Sequence, residues 1–150
     1  MTFQHVPVLL QETLSGLNIQ PEGIYVDGTV GGAGHACEIA KQLHGAGRLI
    51  GLDRDPDAVA VATQRLAPYP ATVIHANYDE MNFRYADQAL AQLGVEGLDG
   101  ALLDLGVSSH QLDTEERGFS YHTDAPLDMR MSQSGMSAAD VVNTWSQEEL

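Results

Sequence analysis

The chain alternates short apolar segments with segments of helical periodicity, and this alternation limits its fold more than any other feature. Apolar runs at 24–26, 49–52, 72–74 and 101–103 have the length of buried strands, and helical patterns separate them. Strands that are joined through helices pair in parallel and are covered on both faces. The sequence therefore predicts an α/β fold with a doubly wound parallel sheet.

Cap residues set the expected helix boundaries. Pro7 is predicted to lie in the first turn of the first helix. Asp55 and Pro56 predict a helix start after the second strand, because Asp is a good N-cap residue and Pro suits the first helical position. Gly45 predicts the end of a helix over 34–43.

Three of the four predicted strands end in an aspartate: Asp27, Asp53 and Asp104. Aspartate is a common turn residue, and that explanation would suffice for one strand. The carboxyl ends of parallel strands meet at one edge, however, and open sheets bind their ligands there. Three carboxylates at that edge favour a binding site.

A glycine-rich turn, residues 28–34, joins the first strand to the next helix. Glycines let a ligand approach the backbone closely, and a helix start offers free N–H groups. Asp53 follows this turn at the distance where nucleotide-binding folds place a carboxylate on the ribose. The pattern predicts a cofactor that contains a ribose.

Two cofactor classes fit such a turn, and Asp27 discriminates between them. A nicotinamide dinucleotide would bring a pyrophosphate beside this carboxylate, which would repel it. S-adenosylmethionine carries a sulfonium and an ammonium group, which a carboxylate attracts. The sequence therefore favours a methyltransferase over a nicotinamide-dependent oxidoreductase. A non-catalytic cofactor-binding module is the other alternative.

Two further residues have open roles. Tyr78, just beyond the third strand, is placed to stack on an adenine ring, or simply to pack on the following helix. Asp104 is a candidate catalytic residue, because a carboxylate there could accept an N–H of a weakly nucleophilic amine. Binding of the cofactor alone is an equally good explanation for Asp104.

Composition excludes several classes of function. The formal net charge is −14, from 21 acidic and 7 basic residues, which argues against a free-standing nucleic-acid-binding protein. A single cysteine, Cys37, rules out an internal disulfide and fits a reducing, cytoplasmic location. No apolar stretch approaches the length of a membrane span, and the six histidines lack metal-site spacing, so no membrane and no metal are expected.

Several motifs together make a family recognisable. The chain resembles the ribosomal small-subunit RNA cytosine-N4 methyltransferases of the methyltransferase H (MraW) family. The matching segments are His5–Leu10, Tyr25–Thr29 with Gly34 and His35, Leu52–Pro56, Leu102–Ser109, Glu116–Ser120 and Pro126–Met131.

This resemblance implies a class I, Rossmann-like methyltransferase of the cytoplasm. It implies methyl transfer from S-adenosyl-L-methionine to N4 of a decoding-site cytidine in 16S ribosomal RNA, with the ribosomal small subunit as partner. With Gly32 of the turn itself, the predicted cofactor contacts are Gly32, Ala33, Gly34, His35, Asp53, Tyr78, Asp104 and Gln111. Ala33 stands where relatives usually have glycine, and His110 stands where proline is usual.

Family members are about twice as long as this chain, so we expect a fold truncated after strand four. Residues 1–113 are predicted to form the S-adenosylmethionine-binding core, and residues 114–150 a substrate-side loop with the start of an incomplete helical insertion. A polar, turn-rich stretch over 115–135 and a helix capped by Ser137 fit the second part. We expect these residues alone to be inactive as an enzyme, and their uncovered sheet edge to favour self-association or a homodimer.

Overall fold

A computed structural model describes residues 7–76 and 90–150. They fall into two compact units, Met1–Leu105 and Gly106–Leu150. The functional division predicted at residue 113 stays a prediction.

The described part of the first unit contains a sheet of four parallel strands in the order β3-β2-β1-β4. The strands are β1 (Ile24–Asp27), β2 (Arg48–Asp53), β3 (Ala71–His75) and β4 (Gly100–Leu102). The predicted parallel α/β sheet is confirmed, and β4 lies beside β1. Two hydrogen bonds hold the start of the β1–β4 pair. The Ile24 N–H donates to the Asp99 carboxylate, and the Asp99 N–H donates to the Ile24 carbonyl.

Three helices of this unit are α1 (Leu10–Leu17), α2 (Gly34–Ala40) and α3 (Pro56–Leu66). Helix α3 begins as predicted, with the Asp55 carboxylate accepting the Asp57 N–H at 3.1 Å. Helix α2 ends three residues before the predicted residue 43. The N–H groups of Gln42 and Leu43 bond carbonyls three residues back, so the last turn tightens instead of continuing the helix.

The prediction that Pro7 begins α1 is wrong. Leu9 precedes α1 in a left-handed conformation, with φ of 51°, and so separates Pro7 from the helix. Pro7 instead packs on Gly34, where a Cβ atom would lie only 2.6 Å from the proline Cγ atom.

Both faces of the sheet are covered, which confirms the doubly wound arrangement. On one face, Tyr25 and Leu49 pack with Ile39 of α2 and Leu66 of α3. On the other face, the members of the cluster are Val26, Ile50 and Leu52, with Leu90 and Leu93 packed against them. Full burial of such a side chain stabilises the fold by about 1.5–3 kcal/mol. Phe83, predicted on the same helix as Leu90, lies outside the described residues.

The strand order creates a switch point between β1 and β4. The chain runs outward from β1 through β2 to β3, and then returns to place β4 on the other side of β1. In open α/β sheets the crevice beyond the carboxyl ends at such a point is the usual ligand site. Asp27 ends β1, and Asp104 follows β4 by two residues.

The second unit contains α4 (Ser109–Asp113), a 3₁₀ turn (Glu115–Arg117) and α5 (Ala138–Thr144). Ser137 caps α5 as predicted, with its hydroxyl accepting the Asp140 N–H at 3.1 Å.

Arg117 organises the loop of this unit. Its buried guanidinium donates to the carbonyl oxygens of Arg130 and Met131, at 3.2 and 2.9 Å. The next residue, Gly118, has φ of 69°, and a Cβ atom there would lie 2.3 Å from the Pro126 carbonyl oxygen. Glycine is therefore required at 118 both for its conformation and for its space.

Gly118→Ala is expected to unfold this loop, whereas Gly135→Ala is the matched control. Both glycines have positive φ, but a Cβ atom at Gly135 would meet open space. We expect the control to lose about 1 kcal/mol of unfolding free energy from backbone strain alone. Gly118→Ala should lose at least about 3 kcal/mol, because backbone atoms must also move. Urea unfolding followed by the fluorescence of Trp145 measures both, and equal losses would contradict the steric argument.

Candidate cofactor-binding site

The glycine-rich turn after β1 is clamped between two strands by its own backbone N–H groups. Gly28 donates to the Leu102 carbonyl of β4 at 2.9 Å. On the other side, Val30 donates to the Leu52 carbonyl of β2 at 3.0 Å. The Gly31 N–H then donates to Asp53 Oδ2 at 2.8 Å. The turn is thereby fixed to both neighbours of β1.

Asp27 lies beneath this turn, with only 2% of its surface exposed. Its Oδ1 atom accepts the N–H and the hydroxyl of Thr29, at 3.0 and 3.4 Å. Burial raises the pKa of Asp27 to about 6. The Thr29 N–H and the nearby His35 lower this pKa, and Asp53 raises it further. The carboxylate is therefore under-solvated, and a cation would stabilise it.

Asp53 at the end of β2 is half-buried, and its carboxylate also serves the fold. Oδ1 accepts the Asp55 N–H at 2.9 Å, and Oδ2 accepts the Gly31 N–H. Burial raises the pKa of Asp53, and these backbone N–H groups oppose the increase. Each carboxylate oxygen has a second lone pair, so two bonds from ribose hydroxyls remain compatible with this arrangement.

Asp104 is exposed beyond the end of β4. Its backbone N–H donates to Thr29 Oγ1 at 2.7 Å. Sequence reasoning missed Thr29. Aspartate followed two residues later by threonine is a known turn pattern, and it could have directed attention to this side chain.

The residues of the turn that are predicted to contact the cofactor have several partners within the protein. The Gly32 carbonyl accepts Arg65 Nη1 of α3 at 2.5 Å. Ala33 is buried with φ of 62°, a conformation that glycine adopts more easily and that explains the usual glycine there. The His35 ring Nε2 lies 2.9 Å from the Val8 carbonyl oxygen. Cofactor contact by Gly32, Ala33, Gly34 and His35 stays a prediction.

The remaining two predicted contacts, Tyr78 and Gln111, stay predictions. Tyr78 lies outside the described residues. Gln111 belongs to the second unit, where its side-chain oxygen accepts the Ser108 N–H at 3.0 Å. The Gln111 N–H donates in return to Ser108 Oγ at 3.2 Å, which forms the capping box of α4. A cofactor contact by Gln111 stays a prediction.

The first half of the turn, residues 28 to 31, is poorly suited to a phosphate group. The N–H groups of residues 28 to 31 all donate within the protein, to Leu102, Asp27, Leu52 and Asp53. An anion at a glycine-rich turn depends on such N–H groups being free. The carboxylates of Asp27 and Asp53 beside the same turn add repulsion. The arrangement suits a cationic ligand that carries hydroxyl groups.

Membrane-spanning and metal-binding features belong to other classes of site. Within residues 7–76 and 90–150, no helix is both long and apolar enough to cross a membrane. The same part of the chain holds no group of three or more His, Cys, Asp or Glu side chains that could bind a metal ion.

Comparison with known families identifies the chain. A model described as the MraW methylase family matches residues 2–150. The chain belongs to the MraW methylase family. The resemblance inferred from the motifs is thereby confirmed.

Two curated relatives match over the whole of this chain. The ribosomal RNA small subunit methyltransferase H of Lachnospira eligens is 55% identical over 153 residues, which cover 100% of this chain and 47% of that protein. The ribosomal RNA small subunit methyltransferase H 2 of Agathobacter rectalis is 53% identical, with 100% and 48% covered. The chain thus spans about half the length of these relatives.

One solved structure shows the same fold at low identity. It comes from Plasmodium falciparum, is assigned as a protein-L-isoaspartate O-methyltransferase, and contains S-adenosyl-L-homocysteine. The TM-score is 0.50 at 14% identity, over 75% of this chain and 59% of that one. The likeness supports a Rossmann-like methyltransferase fold.

The buried position of Asp27 predicts a pH-dependent stability of the cofactor-free chain. Folding raises the pKa of this carboxyl from 3.8 to about 6, so the unfolded state releases the proton first. Stability should therefore fall as the pH rises from about 4 to about 6, by up to about 3 kcal/mol. Asp27→Asn cannot ionise. Urea unfolding across this pH range should show that the unfolding free energy of the variant rises relative to that of the wild type.

Asp140→Asn is a control of opposite sign. Hydrogen bonds from Ser137 lower the pKa of Asp140, so the wild type should gain on this variant as the pH rises through the carboxyl range. A pH-independent difference between Asp27→Asn and the wild type would contradict the burial argument.

Proposed function

We propose that the chain is the cofactor-binding half of a methyltransferase that uses S-adenosyl-L-methionine to methylate N4 of a decoding-site cytidine in 16S ribosomal RNA. Membership of a methylase family and the names of the curated relatives support the reaction and the RNA substrate. The cytosine-N4 target depends on the motifs at Leu102–Ser109, Glu116–Ser120 and Pro126–Met131.

The observation that carries the cofactor assignment is the buried Asp27 beneath a turn whose N–H groups at residues 28 to 31 donate within the protein. When bound, the cofactor supplies an activated methyl group on a positively charged sulfur. A carboxylate with a pKa of about 6 is ionised at neutral pH, and it attracts that charge or the ammonium group through a poorly screened environment. A dinucleotide offers no such cation at this position.

Three carboxylates at this edge of the sheet have different roles in the proposed reaction. Asp27 provides negative charge beneath the turn, and Asp53 accepts hydrogen bonds from the ribose hydroxyls. Asp104, exposed at the switch point, accepts an N–H of the cytosine amine and so orients its nitrogen toward the methyl donor. The exposure of Asp104 fits contact with a substrate that approaches from solvent.

The RNA substrate requires more surface than these residues provide. A net charge of −14 repels phosphate, so binding to the small subunit needs basic residues from elsewhere. The chain covers 47% of the Lachnospira eligens relative, and the remainder of such a protein is the natural source. We therefore propose that residues 1–150 bind the cofactor but do not methylate ribosomal subunits alone.

Asp53→Ala is expected to weaken cofactor binding. Loss of a charge-assisted hydrogen bond to the ribose should cost about 1.5–3 kcal/mol, which is about a ten- to hundredfold loss of affinity. Titration calorimetry of the chain with S-adenosylmethionine measures this, with NAD as the ligand that should not bind. Tighter binding of NAD would favour the oxidoreductase alternative.

Asp57→Ala is the matched control, because Asp57 is an exposed carboxylate in the first turn of α3. It should keep wild-type affinity. Since Asp53 also accepts the Gly31 N–H, circular dichroism must show that the Asp53 variant is folded. A folded Asp53→Ala variant with unchanged affinity would refute the ribose assignment.

Asp104→Asn is expected to lower turnover even when the cofactor is saturating. An amide oxygen keeps the geometry but accepts hydrogen bonds less strongly than a carboxylate. Turnover requires a longer protein, so we suggest a chimera that joins residues 1–150 to the second half of the Lachnospira eligens relative. Methyl incorporation into intact small subunits should fall about tenfold or more.

Three arms complete this experiment. Asp57→Asn in the chimera is the control, and it should keep the rate. Residues 1–150 alone should incorporate no methyl group. If saturating cofactor restores the full rate of Asp104→Asn, Asp104 is only a cofactor ligand. An unmodified chimera that binds the cofactor without methylating subunits would instead favour the non-catalytic alternative.

A further inference from the structure

The hydroxyl of Thr29 connects the turn after β1 to the residue that follows β4. Its Oγ1 atom lies 2.7 Å from the Asp104 backbone nitrogen and 3.4 Å from Asp27 Oδ1. A hydroxyl has one donor and two acceptor positions. It therefore accepts the Asp104 N–H and directs its own proton toward the buried carboxylate of Asp27.

This contact extends the fixed backbone beyond the end of the sheet. Pairing between β1 and β4 ends where Asp27 lies opposite Leu102. Beyond it, Leu103 and Leu105 are largely exposed, and Gly106 has φ of 140°. The bond to Thr29 holds Asp104, two residues past the last strand residue, against the turn.

The turn itself does not depend on this hydroxyl. The N–H groups of Gly28, Val30 and Gly31 bind the turn to β4 and β2 without the Thr29 side chain. The Thr29 N–H bonds Asp27 Oδ1 independently, at 3.0 Å. Removal of the hydroxyl alone should therefore release Asp104 and leave the turn in place.

We propose that Thr29 is a positioning residue that holds Asp104 in register with the cofactor turn, so that its carboxylate meets the acceptor amine. The proposal rests on the proposed function, because Asp104 acts on the substrate there. It assigns to Thr29 an effect on the rate of methyl transfer and not on cofactor affinity.

Two substitutions separate the hydroxyl from the shape of the side chain. Thr29→Val keeps the branched shape and removes the hydroxyl, whereas Thr29→Ser keeps the hydroxyl. Thr63→Val is the control, because the Thr63 hydroxyl donates within α3, to the Val59 carbonyl at 2.7 Å. All three variants can be made in the chain and in the chimera.

The first measurement is amide hydrogen exchange at Asp104 in the chain, observed by NMR with uniform ¹⁵N labelling. Thr29→Val should speed exchange at Asp104 about tenfold, while the exchange rates of Gly28 and Val30 stay as in the wild type. Thr29→Ser and Thr63→Val should retain slow exchange at Asp104. Unchanged exchange in Thr29→Val would overturn the proposal, because the Thr29 hydroxyl would then not restrain the backbone at Asp104.

The second measurement is methyl transfer by the chimera, with cofactor affinity measured in parallel. Thr29→Val should lower kcat about tenfold while the Kd for S-adenosylmethionine changes by less than about threefold. Thr29→Ser should recover most of the rate. A fall in affinity that matches the fall in kcat would overturn the positioning role, since the turn itself would then have been disturbed.

The two measurements distinguish this inference from the proposed function. If the unmodified chimera transfers no methyl group to small subunits, the proposed function fails, and faster exchange at Asp104 in Thr29→Val still supports the bond. If the unmodified chimera is active and Thr29→Val equals it in kcat, the positioning role is refuted while the proposed function stands.

Discussion

The clamping of one turn between two strands is the constraint on which the rest of the site depends. Residues 28 to 31 give their N–H groups to β4, to β2 and to the two carboxylates that end β1 and β2. These four N–H groups are therefore not available to an anion. The same contacts bring negative side chains together at the switch point of the sheet. Rigidity of the turn and its preference for a cation thus have one origin.

Features with a local cause could be predicted from the sequence. The strands are short apolar runs, and Asp55 with Pro56 begins α3 because cap chemistry needs only neighbouring residues. The gathering of Asp27, Asp53 and Asp104 at one edge also followed, because parallel strands place their carboxyl ends together. The position of β4 beside β1 is the usual order of such folds.

Features that depend on distant partners could not be predicted. Nothing near Thr29 indicates that it meets Asp104, which lies 75 residues further along the chain. Arg117 carries a charge and suggests a solvated side chain, yet it is buried and bonds backbone carbonyls. Pro7 would suit a helix start, but its contact with Gly34 and the turned backbone at Leu9 place it elsewhere. The capping box of Ser108 and Gln111 is local by contrast, and the Ser-x-x-Gln spacing could have indicated it.

The burial of Asp27 has a consequence for how such a protein balances stability against activity. Without a bound cation, the ionised Asp27 carboxylate destabilises the folded state, and the packing around β1 must offset this cost. A cation that binds in the site stabilises this carboxylate, and by mass action it also shifts the folding equilibrium toward the native state. Under the proposed function, the supply of cofactor would thus affect the population of folded chain as well as the occupancy of the site.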